Sequence, residues 1–133
     1  MENSPDHLVF RLARHALDKK ARNIVILDVS KFATYASYLI ICHGTSDRHV
    51  QAIGEHIEEE MLKEYIKPMG VEGMHFGQWV LLDFGDVVIH IFYQPKRDHF
   101  DLEGLWAEAP RVVFPDAQIM DAEEEPAAIE SRY

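Results

Sequence analysis

The residues most able to do chemistry fall in small groups, and each group makes demands that its surroundings must meet. Gly44-Thr45-Ser46 lies between an apolar run and an amphipathic one, where a strand-to-helix turn can hold a phosphate against a helix N-terminus. It is neither a Walker loop nor a G-x-G-x-x-G fingerprint, and no lysine follows to hold the phosphate. Thr45 or Ser46 acting as a helix cap, with Asp47 near the positive end of the helix dipole, accounts for the same residues. Asp83 and Asp86 bracket a turn and could be pictured as metal carboxylates. Magnesium, however, wants clustered oxygens, usually with substrate phosphates nearby, and Asp beside a turn commonly bonds to local backbone. Among eight histidines, His43, His49 and His56 match no H-E-x-x-H or Cys/His zinc spacing. The single Cys42 sits in a Leu/Ile-rich run and reads as a small buried hydrophobe rather than a nucleophile. No Ser/His/Asp or Cys/His set assembles by spacing. The expectation is a chain without catalytic residues, metal or cofactor.

The elements that must carry these groups follow from periodicity. Ser4 as cap, Pro5 at the first helical position, and Val9, Leu12, Ala13, Ala16 and Leu17 at helical spacing predict an amphipathic helix over 5–20. Residues 24–29 and 38–43 are short apolar runs that read as buried strands. A long helix follows Gly44-Thr45-Ser46, with Val50, Ile53, Ile57, Met61 and Tyr65 on its apolar face and Glu55, Glu58, Glu59 and Glu64 in water. Lys67-Pro68-Met69-Gly70 breaks it. Residues 69–72 can form a short strand, and 73–77 a loop. Residues 78–83 and 87–92 flank Phe84-Gly85-Asp86 as a tight hairpin. Pro95 is expected to stop the second strand, and Asp98 to Trp106 to form a short helix. The order α-β-β-α-β-β-β-α predicts an α/β (α+β) domain, a mixed β-sheet flanked by helices.

Alternation in the hairpin sorts its side chains. Val80, Leu82, Phe84, Val87, Ile89 and Ile91 share a wholly apolar face that must be core. Trp79, Leu81, Asp83, Val88, His90 and Phe92 share the other. Large apolar groups with polar tips suit a protein-binding surface with an aromatic anchor; they equally suit a second core layer beneath the 98–106 helix.

Length and charge limit the function. A chain of 133 residues fits one buried core, and no apolar run approaches the ~20 residues that span a bilayer. The first apolar cluster is broken at once by Arg11 and Arg14, against a signal peptide; with one cysteine, the expectation is a cytoplasmic protein. The net charge of −10 divides unevenly, +2 over residues 1–22, −4 over 23–97 and −8 over 98–133. Nothing makes a basic stripe, which argues against direct nucleic-acid binding; an acidic protein is steered toward basic partners. After Ala109 the prolines and the Glu123-Glu124-Glu125 run mark an acidic C-terminal extension, so the expected division is a domain over 1–109 and an extension over 110–133. Val112-Val113-Phe114, Ile119 and Met120 give that extension material to dock, and residues 111–120 are expected to lie on the domain or a neighbouring subunit as an added edge strand.

Taken in order, several stretches resemble the ribosomal silencing factor (Iojap-like) family. They are Asn23 to Val29, Tyr38 to Val50, Gly70-Val71-Glu72-Gly73, Trp79 to His90, and Leu102-Glu103-Gly104-Leu105-Trp106. The resemblance runs from about Leu8 to Ala107. It implies a nucleotidyltransferase-like fold that lacks the catalytic residues of that fold. It also implies a translational repressor that binds large-subunit ribosomal protein fourteen, blocks joining of the ribosomal subunits, and damps translation when nutrients are scarce. Trp79, Leu81 and Asp83 fall in the partner-binding region of that pattern, and Asp86, Val88 and His90 complete the candidate set. A homodimer is implied as well. The segment Tyr93 to Phe100 departs from the family, which often carries an Arg and a Tyr before the Leu-Glu pair. The competing reading is a nucleotidyltransferase-type enzyme that uses Gly44-Thr45-Ser46 with Asp83 or Asp86, although the chain has no Asp-x-Asp.

Overall fold

A computed structural model describes residues 7–114. Helix α1 spans Leu8–Asp18, and the His7 side chain caps it by accepting from the Val9 amide. It starts later than the sequence suggests; Ser4 and Pro5 lie outside the described residues. Strand β1 (Arg22–Asp28) then pairs antiparallel with β2 (Tyr38–Gly44). The pairing shifts between Arg22 and Val25, where Asn23 takes φ 51, a left-handed conformation that asparagine tolerates better than most residues. Helix α2 spans Asp47–Leu62 with Ser46 as its cap. Of its expected apolar face, Val50, Ile53, Ile57 and Met61 are fully buried, but Tyr65 is 96% exposed. The helix has ended by then, and Tyr65 turns outward at φ 62.

Strands β3 (Gly70–Glu72), β4 (Trp79–Asp83) and β5 (Val87–Tyr93) follow, and β5 lies parallel to β2. The hairpin is as expected, with Gly85 at φ 84 in the turn, a conformation open to glycine without steric cost. Pro95 plays a different part from the one expected. The strand has ended at Tyr93, and Pro95 sits in the first turn of helix α3 (Gln94–Phe100), where a missing amide hydrogen costs nothing. The single helix expected over 98–106 is two short ones: Asp101 takes φ 46 and separates α3 from α4 (Leu102–Leu105). Asp101 also caps α4 by accepting from the Gly104 amide.

Strand β6 (Arg111–Val112) adds to the outer edge of β1 within the same chain. Phe114 is buried and stacks on Phe10 of α1. The expected edge strand is therefore present at the start of the acidic extension; Ile119 and Met120 lie outside the described residues. The mixed sheet has the order β3-β4-β5-β2-β1-β6. Helices α1 and α2 cover one face, joined by Ile26, Ile40, Cys42, Val80, Ile89 and Ile91. On the other face Leu27, Leu39, Ile41, Val88 and Phe92 form a second cluster, covered in part by Leu102 and Trp106. The central strands are thus buried on both sides, while β4 alternates between buried and half-buried positions.

Candidate functional site

The second sheet face is graded rather than uniform. Phe92 is fully buried, Val88 is 5% exposed and His90 8%. One strand outward, Trp79, Leu81 and Asp83 are half-buried. The register sets Trp79 opposite Phe92, Leu81 opposite His90, and Asp83 opposite Val88, so each outer residue stands against a buried one. The expected second core layer is present over part of this face, and the rest of it is half-buried. Along β5 it is core, and along β4 it is half-buried, with Trp79 and Leu81 packed on the edge of that core.

Trp79 is held from several sides. Its ring packs on Phe92 at 4.9 Å and on Phe100 of α3 at 4.7 Å between centroids. Its Nε1 donates to His90 Nδ1 at 3.0 Å. Burial pushes the His90 pKa down to about 4, so at neutral pH the imidazole keeps the lone pair that accepts this bond. Gly73, at φ 79, lets the preceding loop pass over the Trp79 carbonyl, where any β-carbon would collide. The result is a fixed indole with one side in water, next to Phe100 at 47% exposed. Leu105, on the adjoining α4, is 77% exposed. Such rigid, partly exposed aromatic groups suit the centre of a protein interface.

The carboxylates have structural duties. Asp83 Oδ1 accepts from the Gly85 amide at 2.8 Å, and Asp86 Oδ1 accepts from Ser37 Oγ at 2.6 Å. Asp86 therefore ties the hairpin turn to the chain entering β2, while Asp83 lies on the graded face. The Gly44-Thr45-Ser46 turn is occupied too. Ser46 Oγ accepts from the His49 amide, and the Thr45 amide donates to His49 Nδ1 at 2.9 Å. Gly44 pairs with Tyr93, whereas Tyr38 pairs with Val87. The glycine turn and the two aspartates hence stand at opposite ends of the sheet, about 20 Å apart at strand rise. They do not meet as one nucleotidyltransferase site. Cys42 is fully buried and its pKa is pushed up to about 12 by that burial, which leaves it a protonated packing group.

One functional group escaped the sequence. Arg97 of α3 is buried and donates through Nε to Glu103 Oε1 at 2.8 Å and through Nη1 to the Asn23 carbonyl at 2.8 Å. Nη1 also lies 2.9 Å from His43 Nδ1. Burial first, and the Arg97 charge second, push the His43 pKa down to about 4, so the neutral ring accepts. Burial raises the Glu103 pKa, but the Arg97 hydrogen bond and charge outweigh it and hold the carboxyl below its usual range. This cluster fastens α3 and α4 to the ends of β1 and β2, and so fixes the wall on which Trp79 rests. Its members are far apart in sequence, and no local pattern joins them.

Comparison with known proteins gives this geometry relatives. The family described as "Ribosomal silencing factor during starvation" matches residues 2–132. A protein of Bacillus subtilis, the ribosomal silencing factor RsfS, is 42% identical over 93 residues, which is 70% of this chain and 79% of that one. A mouse protein named for mitochondrial assembly of the ribosomal large subunit is 34% identical over 95 residues, 66% of this chain and 40% of its own. A crystal structure from Bacillus halodurans superposes with a TM-score of 0.72 at 34% identity, covering 80% of this chain and 96% of that one.

Proposed function

This chain belongs to the ribosomal silencing factor family, and from that premise we propose that it represses translation by occupying the large ribosomal subunit. The contact is large-subunit ribosomal protein fourteen, and its occupation sterically blocks the small subunit from joining. The observation that carries this reading is the half-exposed row Trp79, Leu81 and Asp83 along β4, braced from behind by His90 and Phe92. A fixed indole supplies the anchor, Leu81 apolar area, and Asp83 a charge for a basic partner. Val88 and His90, being buried, act as the footing of this row, and Asp86 as the brace of its turn. The net charge of −10 favours a basic ribosomal protein over nucleic acid as the direct contact. The mouse relative, whose name refers to the ribosomal large subunit, points to the same subunit.

The test is sedimentation of purified subunits with the full chain. The protein should travel with large subunits and not with small ones, and should lower the yield of assembled ribosomes in a joining assay. Equal binding to both subunits, or unchanged joining at saturating protein, would sink the reading.

A further inference from the structure

On the face of the sheet opposite Trp79, α1 and α2 meet along a polar seam. Arg11 Nη2 lies 3.3 Å from Glu64 Oε1 at one end. His49 Nε2 lies 2.7 Å from the Lys19 carbonyl at the other. Between them are His15 and Asp18, spaced i,i+3 on the last turn of α1, and His56 on α2. Asp18 Oδ2 stands 3.2 Å from His56 Nε2 and 3.5 Å from His15 Nδ1. One ligand atom from each residue falls within 4.8 Å of the others. We propose that His15, Asp18 and His56 form a binding site for a zinc-class divalent transition metal that staples α1 to α2.

Distance is the first argument. N–H···O bonds run from about 2.7 to 3.2 Å, so of the two imidazoles sharing one oxygen, His56 at 3.2 Å stands at the long end and His15 at 3.5 Å beyond it. Around a tetrahedral zinc, with bonds of about 2.0–2.2 Å, neighbouring ligand atoms are about 3.3–3.5 Å apart. The two edges at Asp18, 3.2 and 3.5 Å, are close to that length, and the three ligand atoms all lie within 4.8 Å of one another. The second argument is the state of His15. Its Nε2 is buried and has no hydrogen-bond partner among the described residues, so no second contact among them fixes its tautomer. The ring is held by Asp18 and by an edge-on contact with His56, centroids 6.1 Å apart at 84°. With no second contact holding the proton on Nδ1, that nitrogen is free to turn its lone pair toward Asp18, where a cation would take it up.

The donor set chooses the metal. Two imidazole nitrogens and one carboxylate oxygen fit zinc and its neighbours, whereas magnesium and calcium ask for oxygens alone and copper(I) for sulfur. Three protein ligands leave a fourth position for water or an outside group. Because α1 supplies Val9, Leu12, Ala13 and Ala16 to the core, fastening its last turn to α2 should stiffen that whole layer.

Cobalt(II) is the probe, added to the untagged full chain and followed by its visible absorption, with zinc as competitor. One equivalent should bind with the intense bands of a low-coordinate site, and zinc should displace it. His15→Gln and His56→Gln should each weaken binding by at least about tenfold, as should Asp18→Asn at an exposed position, while His99→Gln should not. Zinc should raise the melting temperature of the native chain and not of the three variants, each checked for helix content by circular dichroism. Absence of the cobalt bands together with an unmoved melting temperature would overturn the proposal. So would binding that the folded variants retain undiminished, since the ions would then sit on other histidines.

Discussion

Trp79 and His90 show how a buried residue can act through an exposed one. The imidazole accepts the indole hydrogen bond at 3.0 Å, and it does so only while neutral. His90→Phe keeps an aromatic ring, somewhat larger, and removes the acceptor, so it should cost about 1 kcal/mol of stability or more and weaken partner binding by loosening Trp79. Trp79→Ala removes the anchor itself and should weaken binding by ~2 kcal/mol or more with the fold intact, because the core face of β4 is untouched; calorimetry against the isolated ribosomal protein measures both. His43 and His90 also set a pH dependence. Both folded pKa values are pushed from 6.5 to about 4, so between those values the unfolded chain binds more protons. Stability is then complete above about pH 6.5 and falls as pH drops toward 4, by up to about 1.4 kcal/mol per unit for each histidine. Urea melts at pH 4.5, 5.5 and 7 would show the slope, and His90→Phe should lose its share of it.

At the scale of elements, two late pieces of chain determine how the site is walled. Helices α3 and α4 are held by Arg97, whose loss would leave Glu103 without its hydrogen bond and the His43 ring without its donor. Arg97→Ala should destabilise by about 3–5 kcal/mol, as breaking a buried pair does. In hydrogen exchange the amides of 94–106 should lose protection before those of β2. Strand β6 closes the outer edge of β1, and Phe114 fills the layer beside Phe10. A chain ending at Ala109 should therefore melt at lower temperature, since removing a buried Phe alone costs about 3–5 kcal/mol. It should also aggregate more readily, because an open edge strand templates pairing with other chains. An unchanged melting temperature would mean that β6 adds nothing to the domain.

The whole molecule carries its charge unevenly, and its function should reflect that. Association with a basic partner should slow as salt rises from low to physiological strength, while dissociation changes less. Asp83→Lys should slow association more than Asp83→Asn, since it adds repulsion to the loss of attraction. Stopped-flow binding at two salt concentrations decides the matter, and a flat association rate would remove steering from the account. A homodimer that covered Trp79 would have to open first, and binding would then slow as protein concentration rises above the dimer constant. Ultracentrifugation over the same concentrations gives the comparison.

The sequence alone determined those features that depend on neighbours along the chain. Helical spacing in α1 and α2, alternation in β4 and β5, the capping serine at 46 and the glycine turn at 85 are local, and each was legible because a few residues suffice to write it. The face shared by Trp79, Leu81 and Asp83 was legible for the same reason. How deeply each member of that face lies was not, because depth depends on what is laid over it. Tertiary structure decided that Val88 and His90 are buried while Trp79, packed on Phe100 of α3, stays half-buried, that Pro95 opens a helix rather than only ending a strand, and that β6 returns to β1. It also brought Arg97 to His43, and His56 to Asp18. Such pairs are set by strand order and helix packing, and contacts between distant segments leave no period in the sequence from which to read them.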